Sequence, residues 1–253
     1  MKTYKKFKYS FLLLCLVCLF LFNMGCGLDV FYVIEAPTTI IHSPSYDSTD
    51  FSESYFAFYT NETNISSTSG LKFKGTEVYY RIFDSSSQMQ SEVNTLVSLS
   101  NDDSTSSTAA DTMIKSYGFS KLRVKDNYEE PLIPYSGTNK NIYIRLTDYQ
   151  DIEAYSARIL EDGASGTYLN SATSKTVPVR NAYYTFNFGR DGSTDKVPEK
   201  DDDDFDYISG PTDSKYYVAM FAVAFGYDAA YTNYYSNILY LGSVTIDAST
   251  TDN

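Results

Sequence analysis

The run Lys215–Phe225, KYYVAMFAVAF, constrains the fold more than any other stretch of this chain. A strand with one face in water alternates apolar and polar residues, whereas this run is apolar at consecutive positions. Both of its faces must therefore be covered. The run predicts a strand at the centre of a sheet.

Shorter aromatic and β-branched runs, separated by Pro, Ser and Asn clusters, predict further strands. In two of them one face is clearly apolar, with Val78, Tyr80 and Ile82 in the first and Ile142, Ile144 and Leu146 in the second. In the second, Tyr143, Arg145 and Thr147 are expected to face outward. The predicted strands are Asp29–Ile34, Tyr55–Tyr59, Thr76–Phe83, Asn141–Thr147, Tyr183–Phe188 and Ile238–Ile246.

One segment has helical periodicity instead. Met89, Val93, Leu96 and Val97 recur at the spacing of an apolar helical stripe. A second short helix is expected from Thr108, with Gly118 as its C-terminal stop. We interpret residues 85–118 as a helical insertion between two strands. It serves either as a packing cap over one end of a sandwich or as an element that grips a ligand.

The strand pattern resembles fibronectin type III and immunoglobulin-like domains. Glu77–Phe83 is similar to their third strand, and YYVAMFAVAFGYD followed by LYLGSVTI is similar to their last two strands. The resemblance implies a mainly β fold, an antiparallel β-sandwich with a small helical insertion, over residues 26–253. It implies architecture only, because this fold carries many unrelated functions.

The N-terminus has the features of an export signal. Lys2, Lys5, Lys6 and Lys8 precede the apolar run Phe11–Phe22, and no acidic residue accompanies them. A basic segment followed by a short apolar run is typical of a secretory signal. A helix that spans a bilayer needs about 20 apolar residues, so this run is too short to cross one.

The residues that follow the apolar run resemble the lipobox of bacterial lipoproteins. Gly25 stands directly before Cys26, and Asn23 occupies the position where Leu is usual, as in the relaxed lipoboxes of spirochaetal lipoproteins. The resemblance implies a lipoprotein signal peptide over residues 1–25 and acylation of Cys26, with palmitate among the added chains. It also implies a membrane anchor in the bacterial cell envelope, in an outer membrane, facing the periplasm or the cell surface. Alternatively, Cys26 is an ordinary residue of a cysteine-tolerant segment.

Cysteine count and charge exclude several classes of function. Cleavage before Cys26 would leave one cysteine, and acylation would consume it, so neither a disulfide nor a thiol nucleophile would remain. The formal net charge of −12 becomes −16 without the four lysines of the leader. An acidic surface of this kind repels nucleic acids and anionic lipid headgroups, so neither is expected as a partner. We expect a monomer.

No catalytic motif is present in the sequence. His42 is the single histidine, which excludes a multi-histidine metal site, and no Gly-x-Ser-x-Gly motif accompanies it. We therefore predict that the protein is not an enzyme. A hydrolase based on two carboxylates is an alternative, since such a pair can come from anywhere in the chain.

The acidic stretch at residues 190–206 raises the question of calcium. Asp191, Ser193 and Asp195 have the spacing of an EF-hand loop, but Lys196 occupies the position that requires Gly. We predict no cofactor and a solvated acidic loop. The alternative is a weak calcium site formed by Asp201, Asp202, Asp203 and Asp204.

A tyrosine-rich loop is the main candidate for partner binding. Tyrosine offers a rigid, amphipathic contact surface, and aromatic rings also stack on sugars. We predict a non-catalytic binding or adhesion module for a protein or glycan ligand. The alternatives are a structural envelope lipoprotein without a soluble ligand, and tyrosines that merely fill the core and the sheet edges. The predicted contact residues are Tyr227, Tyr231, Tyr234 and Tyr235.

The lipobox resemblance yields a direct prediction. Cys26→Ser should abolish incorporation of labelled palmitate and shift the exported protein to the aqueous fraction, because the acceptor thiol is lost. Cys15→Ser, within the same apolar segment, is the matched control and should leave labelling unchanged. Absence of label on the unaltered protein would show that Cys26 is not an acylation site.

Overall fold

The computed structural model describes residues 32–62, 70–102, 107–124, 131–149, 153–169, 176–181, 184–189 and 196–248. The predicted signal peptide and Cys26 lie outside these ranges. Among the helices within them, none has the length and apolar character that crossing a bilayer requires.

The described chain is mainly β. Its strands are β1 (Thr39–His42), β2 (Phe56–Tyr59), β3 (Leu71–Phe83), β4 (Ser120–Lys121), β5 (Arg123–Val124), β6 (Ile133–Pro134), β7 (Asn141–Arg145), β8 (Arg158–Glu161), β9 (Thr167–Tyr168), β10 (Pro178–Val179), β11 (Phe205–Asp206), β12 (Lys215–Asp228) and β13 (Asn233–Asp247).

These strands form two main sheets. The first sheet is antiparallel and has five strands in the order β1-β2-β7-β8-β9. The second sheet has the order β11-β3-β12-β13, and β4 and β6 also pair with β3. β5 pairs separately with β10. Pairing is antiparallel except between β11 and β3.

The prediction for the central strand is confirmed. β12 lies between β3 and β13 and pairs with both along most of its length. Its side chains alternate between two apolar clusters, with Val218 and Met220 in one and Ala219 and Phe221 in the other. All four are fully buried.

The first cluster joins the two sheets. Phe56 and Ile144 of the first sheet meet Val78, Tyr80 and Ile82 of β3 in a single buried core. Full burial of each such side chain stabilises the fold by about 1.5–3 kcal/mol relative to exposure. The two sheets therefore pack face to face.

The second cluster joins the second sheet to two helices, α1 (Ser86–Asp102) and α2 (Thr108–Asp111). A π-helical turn, Thr112–Ser116, continues α2. Met89, Val93 and Leu96 of α1 are buried, as the helical stripe predicts. These helices pack as a cap, as one of the two interpretations predicts, but they cover the outer face of the second sheet and not one end of the sandwich.

Two predicted strands differ from the structure. Residues 184–188, the described part of Tyr183–Phe188, lie in bends and turns instead of a strand, and Phe186 and Phe188 pack into the inter-sheet core. Tyr32–Ile34, the described part of the first predicted strand, belongs to neither sheet. Aromatic content predicts the burial of Phe186 and Phe188 correctly, but strand formation also needs a partner backbone.

The outward face of β7 is not solvated. Tyr143 and Arg145 are almost completely buried, contrary to the alternating pattern. Arg145 donates to the carbonyl oxygens of Phe51 and Ser52 at 2.6 and 3.1 Å. Four tyrosine rings lie within about 6 Å of its guanidinium, at Tyr55, Tyr143, Tyr149 and Tyr155. Carbonyl and cation–π contacts thus compensate the buried charge.

Burial on both faces of β12 predicts that neither face tolerates truncation. Met220→Ala, between the sheets, should lower the free energy of unfolding by about 2–5 kcal/mol, and Phe221→Ala, beneath the helices, by about 3–5 kcal/mol. Val33→Ala, at a side chain that is 58% exposed, is the control and should change it by about 0.5 kcal/mol or less. Urea denaturation measures all three. If Phe221→Ala leaves the free energy of unfolding almost unchanged, the helices do not cover this face of the sheet.

Candidate binding site

The hairpin that joins β12 to β13 forms the candidate site. A short turn between Asp228 and Asn233 connects the strands, and the amide of Tyr231 donates to the Asp228 carbonyl at 3.0 Å. The Asp228 side chain fixes this turn, because its Oδ1 accepts from the amides of Ala230 and Thr232, both at 2.8 Å. Aspartate is favoured in turns for this kind of bond.

Tyr231 occupies an unusual position in the turn. Its φ is +61°, in the left-handed region that favours Gly or Asn, and its side chain is 78% exposed. A side chain other than Gly in this conformation costs about 1–2 kcal/mol. The fold therefore holds a large aromatic ring in solvent at some cost in stability.

Tyr227 and Tyr231 stack on each other at the tip. Their ring centroids lie 5.3 Å apart and their planes are inclined by 25°. The ammonium groups of Lys72 and Lys74 lie over the Tyr227 ring, 5.8 and 5.6 Å from its centroid. Beside this pair is an open groove of about 380 Å³, lined by residues 70–72, residues 227–229 and Tyr231.

Hydrogen bonds within the turn stabilise the charged form of the Asp228 carboxylate. Besides the two amides on Oδ1, the Tyr234 hydroxyl donates to Oδ2 at 3.3 Å. These bonds, chiefly the one from the Thr232 amide, lower the pKa of Asp228 below its usual value. Burial and the nearby Asp228 charge raise the pKa of Tyr234. Asp228 therefore organises the turn and stays ionised.

The four predicted contact tyrosines do not form one cluster. Tyr227 and Tyr231 stack beside the groove, whereas Tyr234 packs edge-on against Tyr32, with centroids 5.2 Å apart. Tyr235 packs against Phe225 at 5.4 Å and borders the core beneath the helices. A direct contact role for any of the four stays a prediction, and the geometry favours Tyr227 and Tyr231.

Lys72 and Lys74 add positive charge to the site, and they were not predicted from the sequence. They begin β3, where the letters LKFKG place them two residues apart and hence on one face of a strand. The pairing register shifts between Phe225 and Gly226, which leaves Lys74 without a directly opposite residue in β12. The two-residue spacing of the lysines was visible in the sequence. The strand register that places Lys72 opposite Tyr227 was not.

The acidic segment is organised around Arg180. The guanidinium Nε and Nη2 of Arg180 donate to the two oxygens of Asp204 at 3.0 and 2.7 Å, and Nη2 also reaches Asp202 at 2.9 Å. Asp204 is fully buried and accepts a further bond from the Tyr80 hydroxyl at 2.6 Å. The expectation of a solvated loop is therefore wrong for Asp202 and Asp204, while Asp201 and Asp203 are exposed.

The pKa shifts in this network are those of a structural ion pair. Burial and the adjacent Asp204 carboxylate raise the pKa of Tyr80. The pKa of Asp202 is lowered despite its partial burial, because the Glu199 amide and Arg180 stabilise its charged form. Among the described residues, no group of three or more His, Cys, Asp or Glu could hold a metal ion. The EF-hand-like residues Asp191, Ser193 and Asp195 lie outside them.

His42 and the carboxylate pair Glu92 and Asp206 are the described residues that bear on a catalytic role. His42 stacks on Tyr55, with ring centroids 3.9 Å apart, and its Nε2 lies 2.8 Å from the Glu53 carbonyl oxygen. Glu92 and Asp206 flank Arg81, at 4.0 and 3.3 Å, and burial raises the pKa of Glu92. The two carboxylates also lie within hydrogen-bonding reach of each other, which adds to the raised pKa of Glu92. Arg81 contacts both and offsets their charge, an arrangement expected of a structural cluster.

Comparison with family models, with curated proteins and with solved structures finds no match to this chain. The site must therefore be interpreted from its own geometry.

The Arg180 network predicts a large and local effect on stability. Asp204→Asn keeps the shape of the side chain but leaves a buried guanidinium without its main counter-charge, so the free energy of unfolding should fall by about 3–5 kcal/mol. Asp203→Asn, at the exposed neighbouring position, is the matched control and should change it by about 0.5 kcal/mol or less. Equal midpoints for the two variants in urea would show that the ion pair is not structural.

Proposed function

We propose that the protein is a lipid-anchored envelope lipoprotein that binds a ligand through the tip of the β12–β13 hairpin, without catalysis. The observation that carries the proposal is the exposed Tyr231 ring, which stacks on the half-buried Tyr227 beside an open groove. Tyrosines in such positions supply contact area at a low cost in side-chain entropy.

The backbone of Tyr231 strengthens this interpretation. A left-handed tyrosine gains nothing for the fold that Gly would not give at lower cost. Strained positions of this kind cluster at functional sites, and the inference runs from the observed conformation to a function.

Strand connectivity supports an immunoglobulin or fibronectin III-like sandwich. In immunoglobulin domains the third strand neighbours the penultimate one, which neighbours the last, as in the order β3-β12-β13 here. The first two strands and a later one are likewise adjacent, as in β1-β2-β7. Relative to an immunoglobulin domain, the helices are an insertion after β3, and β8–β11 are an insertion after β7. The hairpin tip then corresponds to the loop between the last two strands, a common contact surface.

The proposed location rests on the sequence. The basic and apolar leader and the lipobox-like residues before Cys26 support export and acylation, and hence attachment to an outer membrane. Stable attachment needs more than one acyl chain, which lipoprotein processing supplies. An anchored monomer with a binding tip is suited to adhesion.

A binding screen tests the proposed role. The full chain, purified in detergent, is passed over immobilised collagen, laminin, fibronectin, cellulose, chitin, hyaluronan and alginate. We expect binding to at least one surface, and Tyr231→Gly should weaken it about tenfold or more, the loss of a hot-spot tyrosine. The melting temperature of Tyr231→Gly should not fall, because Gly relieves the left-handed strain.

Two further variants sharpen this screen. Tyr231→Phe keeps the ring and should bind nearly as well as the unaltered chain. Tyr207→Ala removes a tyrosine that is also exposed and also has a lysine, Lys200, over its ring at 5.5 Å, and it should leave binding unchanged. If no surface is bound, or if Tyr231→Gly binds as well as the unaltered chain, the hairpin tip is not the binding site.

A further inference from the structure

We propose that the groove at the hairpin tip binds an acidic saccharide, with a sugar ring against Tyr231 and its carboxylate or sulfate group on Lys72 and Lys74. This inference rests on the proposed function and adds the chemical class of the ligand. It follows from the charges, the aromatic surface and the size of the groove.

The two lysines provide an uncommitted positive charge. Both ammonium groups lie within 6 Å of one ring centroid, that of Tyr227. Within the part of the chain that the structure describes, neither has an ion-pair partner. Lys121 of β4, by contrast, pairs with Glu77 of β3. Two like charges held close together are stabilised by an anion between them.

The carboxylates near this surface are already engaged. Asp228 is bonded by two amides and by the Tyr234 hydroxyl within its own turn. Glu77 binds Lys121 and accepts from the Tyr79 hydroxyl at 2.6 Å. Neither forms an ion pair with Lys72 or Lys74 within the described residues. Both ammonium groups can therefore meet an external anion, although the ionised Asp228 also lines the groove.

The net negative charge of the whole protein acts only weakly on an anion that contacts Lys72 and Lys74. The formal net charge is −12, and −16 without the four lysines of the leader, but exposed charges are largely screened beyond about 8 Å at physiological ionic strength. Contacts with Lys72 and Lys74 act within that distance. A short acidic saccharide with spaced charges therefore suits the groove better than a densely charged nucleic acid.

The aromatic surface distinguishes a sugar from other anions. The face of a tyrosine ring carries partial negative charge, which attracts the polarised C–H groups on the flat side of a pyranose. Tyr231 offers such a ring to solvent, and Tyr227 supports it from behind. An acidic peptide side chain supplies the negative charge but no flat C–H face. The groove of about 380 Å³ is near the small end of the volumes of ligand clefts, so a small ligand or a short segment of one is expected.

Calorimetric titration of the full chain in detergent tests this inference. The probes are hyaluronan and alginate oligosaccharides, with cello-oligosaccharides of equal length as the neutral comparison. We expect the acidic probes to bind at least about tenfold more tightly than the neutral one. The double variant Lys72→Gln, Lys74→Gln should lose about tenfold or more of that affinity, and Tyr231→Gly should lose a similar factor. Lys200→Gln, which removes the matched lysine above Tyr207, should bind as the unaltered chain does.

The remaining outcomes separate this inference from the proposed function. If a neutral saccharide or a protein binds in a manner that needs Tyr231 but not the lysines, the hairpin tip is a binding site and the acidic-saccharide inference is overturned. Lysine-dependent binding of polyglutamate or of phosphatidylglycerol vesicles, without binding of the oligosaccharides, also overturns it. If no probe in either experiment depends on Tyr231, both proposals fail.

Discussion

Burial of β12 on both faces is the constraint on which the rest of the structure depends. A sheet with two apolar faces must be covered twice, and the chain does this with different elements. The first sheet covers one face through Phe56 and Ile144, and the α1–α2 segment covers the other through Met89 and Leu96. The result is a three-layer arrangement of sheet, sheet and helices. The helical insertion is thus required by the central strand.

Two buried guanidinium groups at the periphery of these layers have compensating partners. Asp204 and Asp202 hold Arg180, and Tyr80 connects this network to the inter-sheet core. Arg145 instead relies on carbonyl oxygens and tyrosine rings. Breaking a buried pair costs more than the pair contributes, because the remaining charge stays desolvated. These networks therefore fix the position of the segments that pack around the sheets.

The candidate site follows from the same central strand. β12 and β13 continue beyond the core to the turn at Asp228–Asn233, and the start of β3 accompanies them there. Three paired strands support the tip, so the exposed Tyr231 ring is held in place in the unliganded protein. Preorganisation of this kind reduces the entropy lost on binding. The bulge at Lys74 and the turn geometry of Asp228 place cations and aromatic rings side by side.

The sequence by itself determined the central strand, the helical stripe of Met89, Val93 and Leu96, and a mainly β fold, because apolar periodicity reports which faces are buried. It also directed attention to the tyrosine-rich hairpin. Only the tertiary structure decided that Asp204 is a buried ion-pair partner, that Tyr143 and Arg145 are covered, and that Lys72 and Lys74 lie over Tyr227. The physical reason is that these contacts join residues distant in sequence. Charge and aromaticity show what a side chain can bind, whereas strand register decides which partner it meets.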